Sequence, residues 1–409
     1  MKKKYVTAFP GRRDSYQLPL ALSAHDRLAS FVTCFYAQKG LSSRLAKPFG
    51  RLAEKLNQRR APGLDQAKVE CMEAVDLATR LGSKIIQPSK ISVWEDDAFA
   101  RRALALAKTN RAGLLLYEFQ ADWAFRQPLP HDGARILFQF HPHPDLEHPI
   151  LFSDGRRYPQ FMAGIHRSTR ANLSSRYRDH TRNAWRQADH VMVASQFTGY
   201  SLQVAGCPAG KISVVPYGCA FSELPARPPA RPATDKPYFL FVGSGSHRKG
   251  LHHLLEAWSQ SSLTESHELI VIARTIEPAM RPLLAGTKSV RHLPGVATHD
   301  LQTWFASAKA FILPSLSEGF GHVYLEALAC GCPVIGTKNS MLPDFSEAQA
   351  HVRYVEPGDP ASIAGELEKV GGMPSSDPFF GTDSIRLGVR AYTWQRFRDG
   401  VEAVLERFD

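Results

Sequence analysis

Two glutamates eight residues apart, Glu318 and Glu326, enclose two glycines in Pro314-Ser-Leu-Ser-Glu-Gly-Phe-Gly-His-Val-Tyr-Leu-Glu-Ala-Leu-Ala-Cys-Gly-Cys-Pro-Val-Ile-Gly336. The pattern reads as a strand ending near Pro314, a loop carrying Glu318, and a helix opened by Gly319 and Gly321. Glycines there permit close backbone approach, and the free N–H groups of a helix start attract phosphate. The helix is apolar nearly all round, with Glu326 its only carboxylate, and a buried acid needs a partner. Eight residues at helical rise span about 12 Å. A nucleotide-sugar has that shape, with Glu318 on hexose hydroxyls, Glu326 on ribose and the helix terminus on phosphates. Ser315-x-x-Glu318 also reads as a capping box. That version places both glycines inside the helix, at about 1 kcal/mol each relative to alanine.

These residues need a scaffold. Short β-rich runs alternate with helical stretches in the second half of the chain. The runs are Tyr238–Val242, Leu269–Ala273, Ala310–Leu313 and Pro333–Gly336; the helices are 251–260, 278–285, 299–308 and 321–330. The first half repeats the grammar, with strands at 5–8, 31–35, 114–117, 135–140, 190–194 and 213–215. Its helices are expected at 15–28, 64–81 and 96–110. Such alternation means parallel sheets covered on both faces. The expected fold class is α/β, two Rossmann-like domains facing across a cleft. Ligands bind beyond the carboxyl ends of such strands. The polar or glycine-bearing strand ends are Gly11, His141, Ser244 to Lys249, and Glu318, and they are expected to converge.

The length of 409 residues suits two domains, and 44% hydrophobic with 22% charged residues excludes disorder and coiled coil. Positive charge is concentrated early: residues 1–235 hold 34 Lys+Arg against 20 Asp+Glu, while residues 236–409 hold 16 against 19. The change falls at the proline-rich run ending at Pro237, which suits a semi-rigid linker. The basic half suggests an anionic partner, and peripheral contact with an anionic membrane stands beside a merely solvated face. Arg170, Arg178, Arg182 and Arg186 are spaced to form one helix ridge. Few aromatics interleave them, so no nucleic-acid partner is expected. No apolar run approaches a membrane span and no signal-peptide core follows the first residues. Six cysteines show neither zinc nor disulfide-scaffold spacing. The expectation is a cytoplasmic protein, peripheral at most to the inner face of the membrane.

Glu-Gly-Phe-Gly-x4-Glu-Ala-x-Ala-x-Gly-x-Pro-Val-Ile resembles the E-x7-E signature of family 4 retaining glycosyltransferases, which have the GT-B fold of two facing Rossmann-like domains. The resemblance extends through Phe239 to Ala257, Ala188 to Thr198 and Lys211 to Gly218. It implies an acceptor-binding domain over 1–220, a linker over 221–237, a nucleotide-sugar domain over 238–392 and a terminal helix over 393–409 that crosses back. By the same resemblance Lys249 neutralises the donor diphosphate, Glu318 binds sugar hydroxyls and Glu326 the ribose. Backbone groups of Gly319, Phe320, Gly321, His322 and Val323 meet phosphate and sugar, and Val296 lies near the base. Gly11 contacts the phosphates, and His141 stands near the donor sugar. Ser244 occupies a position where the family usually has arginine; either Arg248 supplies the missing charge or the leaving phosphate meets one fewer cation. The implied reaction is retaining sugar transfer to a glycan, lipid-linked or small-molecule acceptor, in a setting such as cell-surface polysaccharide synthesis. No cofactor and no metal are expected.

Three other readings compete. Gly243-Ser-Gly-Ser-His-Arg248 imitates a dinucleotide fingerprint, but its sixth residue is Arg and no acid follows at the next strand end. His141, His143, Asp145 and His148 suggest a metal-dependent hydrolase, although Pro142 and Pro144 keep the run extended. A non-catalytic nucleotide-sugar-binding partner of a transferase complex is the third; the presence of Glu318, Glu326, Lys249 and His141 argues for catalysis.

Overall fold

The computed structural model describes residues 2–37, 59–83, 86, 88–129, 132–170, 180–219 and 234–409. The first sheet contains β1 Tyr5–Ala8, β2 Leu28–Thr33, β3 Val69–Cys71, β4 Gly113–Tyr117, β5 Arg135–Gln139, β6 His190–Val193 and β7 Ile212–Val214. Its order is β3-β2-β1-β4-β5-β6-β7, parallel throughout. The second contains β8 Tyr238–Val242, β9 Glu268–Ile272, β10 Val290–Leu293, β11 Ala310–Leu313, β12 Val334–Gly336 and β13 Val352–Tyr354. Its order, β10-β9-β8-β11-β12-β13, is also parallel throughout. Central strands such as β4 and β11 are buried at every position, as expected for sheets covered on both faces. Strand order reverses at β1/β4 and at β8/β11, so each sheet opens a crevice beside those carboxyl ends. The two crevices face each other, and the fold is the facing pair of Rossmann-like domains.

The domains are tied at both ends of the interface. Gly218, just past β7, lies so close to the final helix that a Cβ would sit 2.2 Å from the Thr393 carbonyl carbon. Thr393 caps that helix, Trp394–Leu405, by accepting from the Arg396 N–H. The helix runs back over the first domain, where buried Arg27 donates to Glu402 at 2.5 and 3.0 Å and to Asp409 at 2.7 and 2.8 Å.

Several expected elements are corrected. The helix expected over 15–28 begins only at Gln17 and ends at Ala24, because Asp14, Ser15 and Tyr16 all have left-handed φ and Leu28 already belongs to β2. The expected helix over 64–81 is divided: β3 occupies Val69–Cys71 and the helix is Glu73–Gly82. Strands β10 and β13 lie where local spacing predicted no strand; both are short and partly exposed. The arginine ridge does not form on one helix. Helix Met162–Ser168 ends before Arg170, whose φ is +55°, and a separate helix covers His180–Gln187. Arg170 pairs with Asp96 at 3.1 Å, Arg182 pairs with Asp145, and Arg186 lies over the Trp185 ring. Arg178 and linker residues 221–233 fall outside the described residues. No helix among the described residues is long and apolar enough to cross a membrane.

Candidate active site

The loop between β11 and helix His322–Ala329 occupies the interface. Gly321 is the N-cap of that helix with φ +81°, and a Cβ there would meet the Tyr324 ring at 2.6 Å. Only glycine suits both demands. The capping box at Ser315 is not used, because the helix starts at His322. Gly319 is held still more tightly: a Cβ would sit 1.9 Å from the Phe140 carbonyl oxygen at the end of β5. Its own carbonyl accepts from Ser195 Oγ and from Thr198 Oγ1, the latter at 3.1 Å. Ser195 caps the first-domain helix Gln196–Val204. The glycine loop of one domain is thus seated on the strand ends of the other.

Glu318 is buried and accepts from Lys249 Nζ, with Arg248 Nη1 at 3.3 Å. Arg248 also donates to the Ser317 carbonyl at 2.8 Å. Burial works to raise the Glu318 pKa, but the two cations outweigh it and bring it down to about 2. The same burial pulls the Lys249 ammonium below the usual lysine value. This is a preorganised group of two positive charges and one carboxylate, placed beside the N-terminus of a helix.

His141 faces it from the first domain. Its Nδ1 lies 2.6 Å from Glu118 Oε1, while Glu118 Oε2 accepts from the Phe140 and His141 backbone N–H groups at 3.0 and 3.2 Å. A carboxylate only accepts, so Nδ1 carries the proton and Nε2 is left for a substrate. Glu118 and His141 line a cavity of about 340 Å³ together with Phe119, Glu147, Thr181 and Arg248. Among the described residues Glu147 Oε1 is buried with no hydrogen-bond partner, and burial raises the carboxyl pKa. Glu118→Gln is expected to lower kcat about tenfold to a hundredfold while donor affinity holds, since the ring loses its charged anchor. A steady-state split of kcat from KM checks this.

The other expected residues are distributed as follows. Val296 and Ser244 line a second cavity of about 310 Å³ with Val242, Ile272, Thr275 and Gly295. Ser244 Oγ contacts Ser246 Oγ at 3.1 Å and takes no part in the Glu318 cluster. Gly11 has φ +102° and borders open space. Phe320 is buried against the Tyr217 ring, so its backbone alone remains for a ligand. His322 stacks on Tyr217 and lies 3.8 Å from Asp14, whose carboxylate also accepts from Tyr217 Oη at 2.6 Å. Val323 is partly buried against the core. Among the described residues no hydrogen bond or ion pair holds the Glu326 carboxylate, and burial raises its pKa.

The histidine cluster expected for a metal-dependent hydrolase does not assemble. His143 is a buried helix cap: Nδ1 accepts from the Asp145 N–H and Nε2 lies 3.1 Å from the Arg182 carbonyl oxygen. His141 is committed to Glu118. Local spacing missed Glu118 and Glu147, although an acid directly after the apolar run of β4 marks a strand end at a switch point.

Residues 225–374 match the family described as glycosyl transferases group 1. The second domain carries that family's sequence pattern. The chain is 28% identical over 216 residues to a putative colanic acid biosynthesis glycosyltransferase of Escherichia coli, covering 50% of this chain and 52% of that one. It is 30% identical over 275 residues to the O-antigen chain mannosyltransferase B of Escherichia coli, covering 60% and 66%. The matches thus span about half to two thirds of these relatives. Among solved structures, sucrose-phosphate synthase from Thermosynechococcus elongatus superposes with a TM-score of 0.68 at 16% identity over 99% of both chains. An Escherichia coli trehalose-6-phosphate structure bound with UDP-2-fluoro glucose gives 0.65 at 11% identity, covering 98% and 99%. These likenesses show the GT-B fold.

Proposed function

We propose that this protein is a retaining glycosyltransferase that moves a sugar from a nucleotide-sugar to an acceptor held mainly by the first domain. The observation that carries the reading is the Lys249–Arg248–Glu318 group beside the glycine-opened helix, directly across from His141. The base lies in the cavity around Val296 and the ribose against Glu326. The diphosphate rests on the amides after Gly319 and on Lys249, with Arg248 as the second cation. Negative charge develops on that diphosphate as the glycosidic bond breaks, and fixed cations and amides stabilise it without reorganising. Diphosphate binding engages Lys249 and Arg248, which frees Glu318 for sugar hydroxyls. His141 Nε2 accepts from a sugar hydroxyl and orients the ring.

The acceptor occupies the cavity around Glu118, Phe119 and Thr181, and its hydroxyl attacks from the side the leaving phosphate departs. The oxygen of that phosphate takes the proton, so no metal and no covalent nucleophile are needed at the centre. The basic first half supports a lipid-linked or anionic glycan acceptor, and the names of the relatives support cell-surface polysaccharide synthesis. Screening nucleotide-sugars for release of nucleoside diphosphate tests the proposal. Binding without turnover across the screen, with and without acceptor glycans, would leave a non-catalytic partner instead. Glu326→Ala is expected to raise donor KM about tenfold, near 1.4 kcal/mol, with kcat nearly unchanged. An unaltered KM would return Glu326 to a purely structural role.

A further inference from the structure

A second polar cluster bridges the domains and has no part in the chemistry above. Asp154, on the first-domain helix Pro144–Arg157, faces three histidines of the second domain. His247 Nε2 lies 2.7 Å and His252 Nε2 3.0 Å from Asp154 Oδ2; His253 Nε2 lies 2.9 Å from Oδ1. All four residues are buried. Adjacent rings touch, with centroids 4.9 Å apart for His247–His252 and 3.8 Å for His252–His253. Among the described residues Arg157 pairs with Asp154, 3.8 Å from Oδ1, and is largely in water. The buried carboxylate thus has three imidazole nitrogens around it and one guanidinium on its water-facing side.

We propose that Asp154, His247 and His252 bind a divalent transition metal ion, Zn²⁺ by preference, that clamps the two domains together. Their donor atoms already lie within 4.8 Å of one another. Metal–ligand bonds of about 2.0–2.2 Å set tetrahedral donors roughly 3.3 Å apart, so the cluster opens only slightly to admit the ion. Two imidazoles and a carboxylate suit Zn²⁺, whereas Ca²⁺ and Mg²⁺ require more oxygen ligands. His253 bonds the other carboxylate oxygen and so orients it. Packing fixes the rings before an ion arrives. Phe161 lies 5.5 and 4.8 Å from His247 and His252, and Tyr158 meets His252 and His253 edge-on at 4.9 Å. Tyr158 is itself held to Glu256 at 2.8 Å.

In the loaded form Nε2 of His247 and of His252 is on the ion and each ring carries its proton on Nδ1. Among the described residues the three Nδ1 atoms have no hydrogen-bond partner. Loading leaves buried N–H groups unpaired at that edge, which keeps the site reversible to chelators.

The full chain, stripped with a chelator and dialysed, is titrated with Zn²⁺ against a chromophoric chelator. About one equivalent is expected to bind, with a rise of a few degrees in Tm, while Mg²⁺ at the same concentration does neither. Co²⁺ is expected to give visible d–d bands without a thiolate charge-transfer band. The double variant H247Q/H252Q is expected to lose binding, and H253Q to weaken it about tenfold. If the double variant fails to fold, H253Q and the cobalt spectrum of the wild type still decide. Failure of Zn²⁺ to bind at roughly tenfold excess, or a thiolate signature, or binding unaltered in foldable variants, overturns the proposal and leaves a hydrogen-bonded latch. None of these readouts depends on sugar transfer.

Discussion

Lys249→Ala is expected to lower turnover of the donor on the order of 10²-fold, about 3 kcal/mol, comparable with removing one oxyanion-hole donor. The magnitude follows from position. The ammonium is largely buried, close to Glu318, and backed by Arg248 rather than by water. A charge in that setting acts on a departing diphosphate with little screening. Among the described residues the substitution leaves Glu318 with Arg248 as its cationic partner, so some loss of stability accompanies the loss of rate. Thermal unfolding and single-turnover measurements separate the two. A folded variant that still binds nucleotide and turns over at the wild-type rate removes Lys249 from the mechanism.

Gly319→Ala is expected to be comparably damaging through geometry. The added carbon would lie 1.9 Å from the Phe140 carbonyl oxygen and 3.0 Å from its carbon. Backbone cannot yield as a side-chain tip does, so the loop must withdraw from the end of β5. That movement breaks the bonds from Ser195 and Thr198 to the Gly319 carbonyl and carries Glu318 away from His141. Overpacking of this kind costs about 1–3 kcal/mol of stability. Displacement of the proposed catalytic groups by about an ångström is expected to lower kcat on the order of 10²-fold. Gly365→Ala is the control: it lies within helix Pro360–Gly372, and nothing stands within 4 Å of the added carbon. It is expected to leave activity unchanged and to stabilise by about 0.5–1 kcal/mol. Activity in Gly319→Ala matching this control would show that the tight seating is not required.

The parallel architecture and the central part of the candidate site were legible in the linear chain for one reason: each is a pattern of short range. The runs that became β1, β4, β5, β8, β9 and β11 are apolar enough for strands buried on both faces. Glu318, Gly319, Gly321 and Glu326 belong to one loop and the helix it opens, so their spacing carries their geometry. Short strands with mixed burial, such as β10 and β13, left too weak a signal. The helix boundary at Gln17 was hidden because left-handed φ at three non-glycine residues has no mark in composition.

Pairings over long separations were decided by folding alone. Glu118 reaches His141 because β4 and β5 are neighbours in the sheet, and Asp154 meets His247, His252 and His253 only because the domains close on one another. Of the arginines spaced as a ridge, Arg170 lies off the helix that carries Arg182 and Arg186, and Arg170 and Arg182 are matched with Asp96 and Asp145. Periodicity describes which side of one element a residue occupies. It cannot describe what another element, placed by the burial of the whole core, brings to that side.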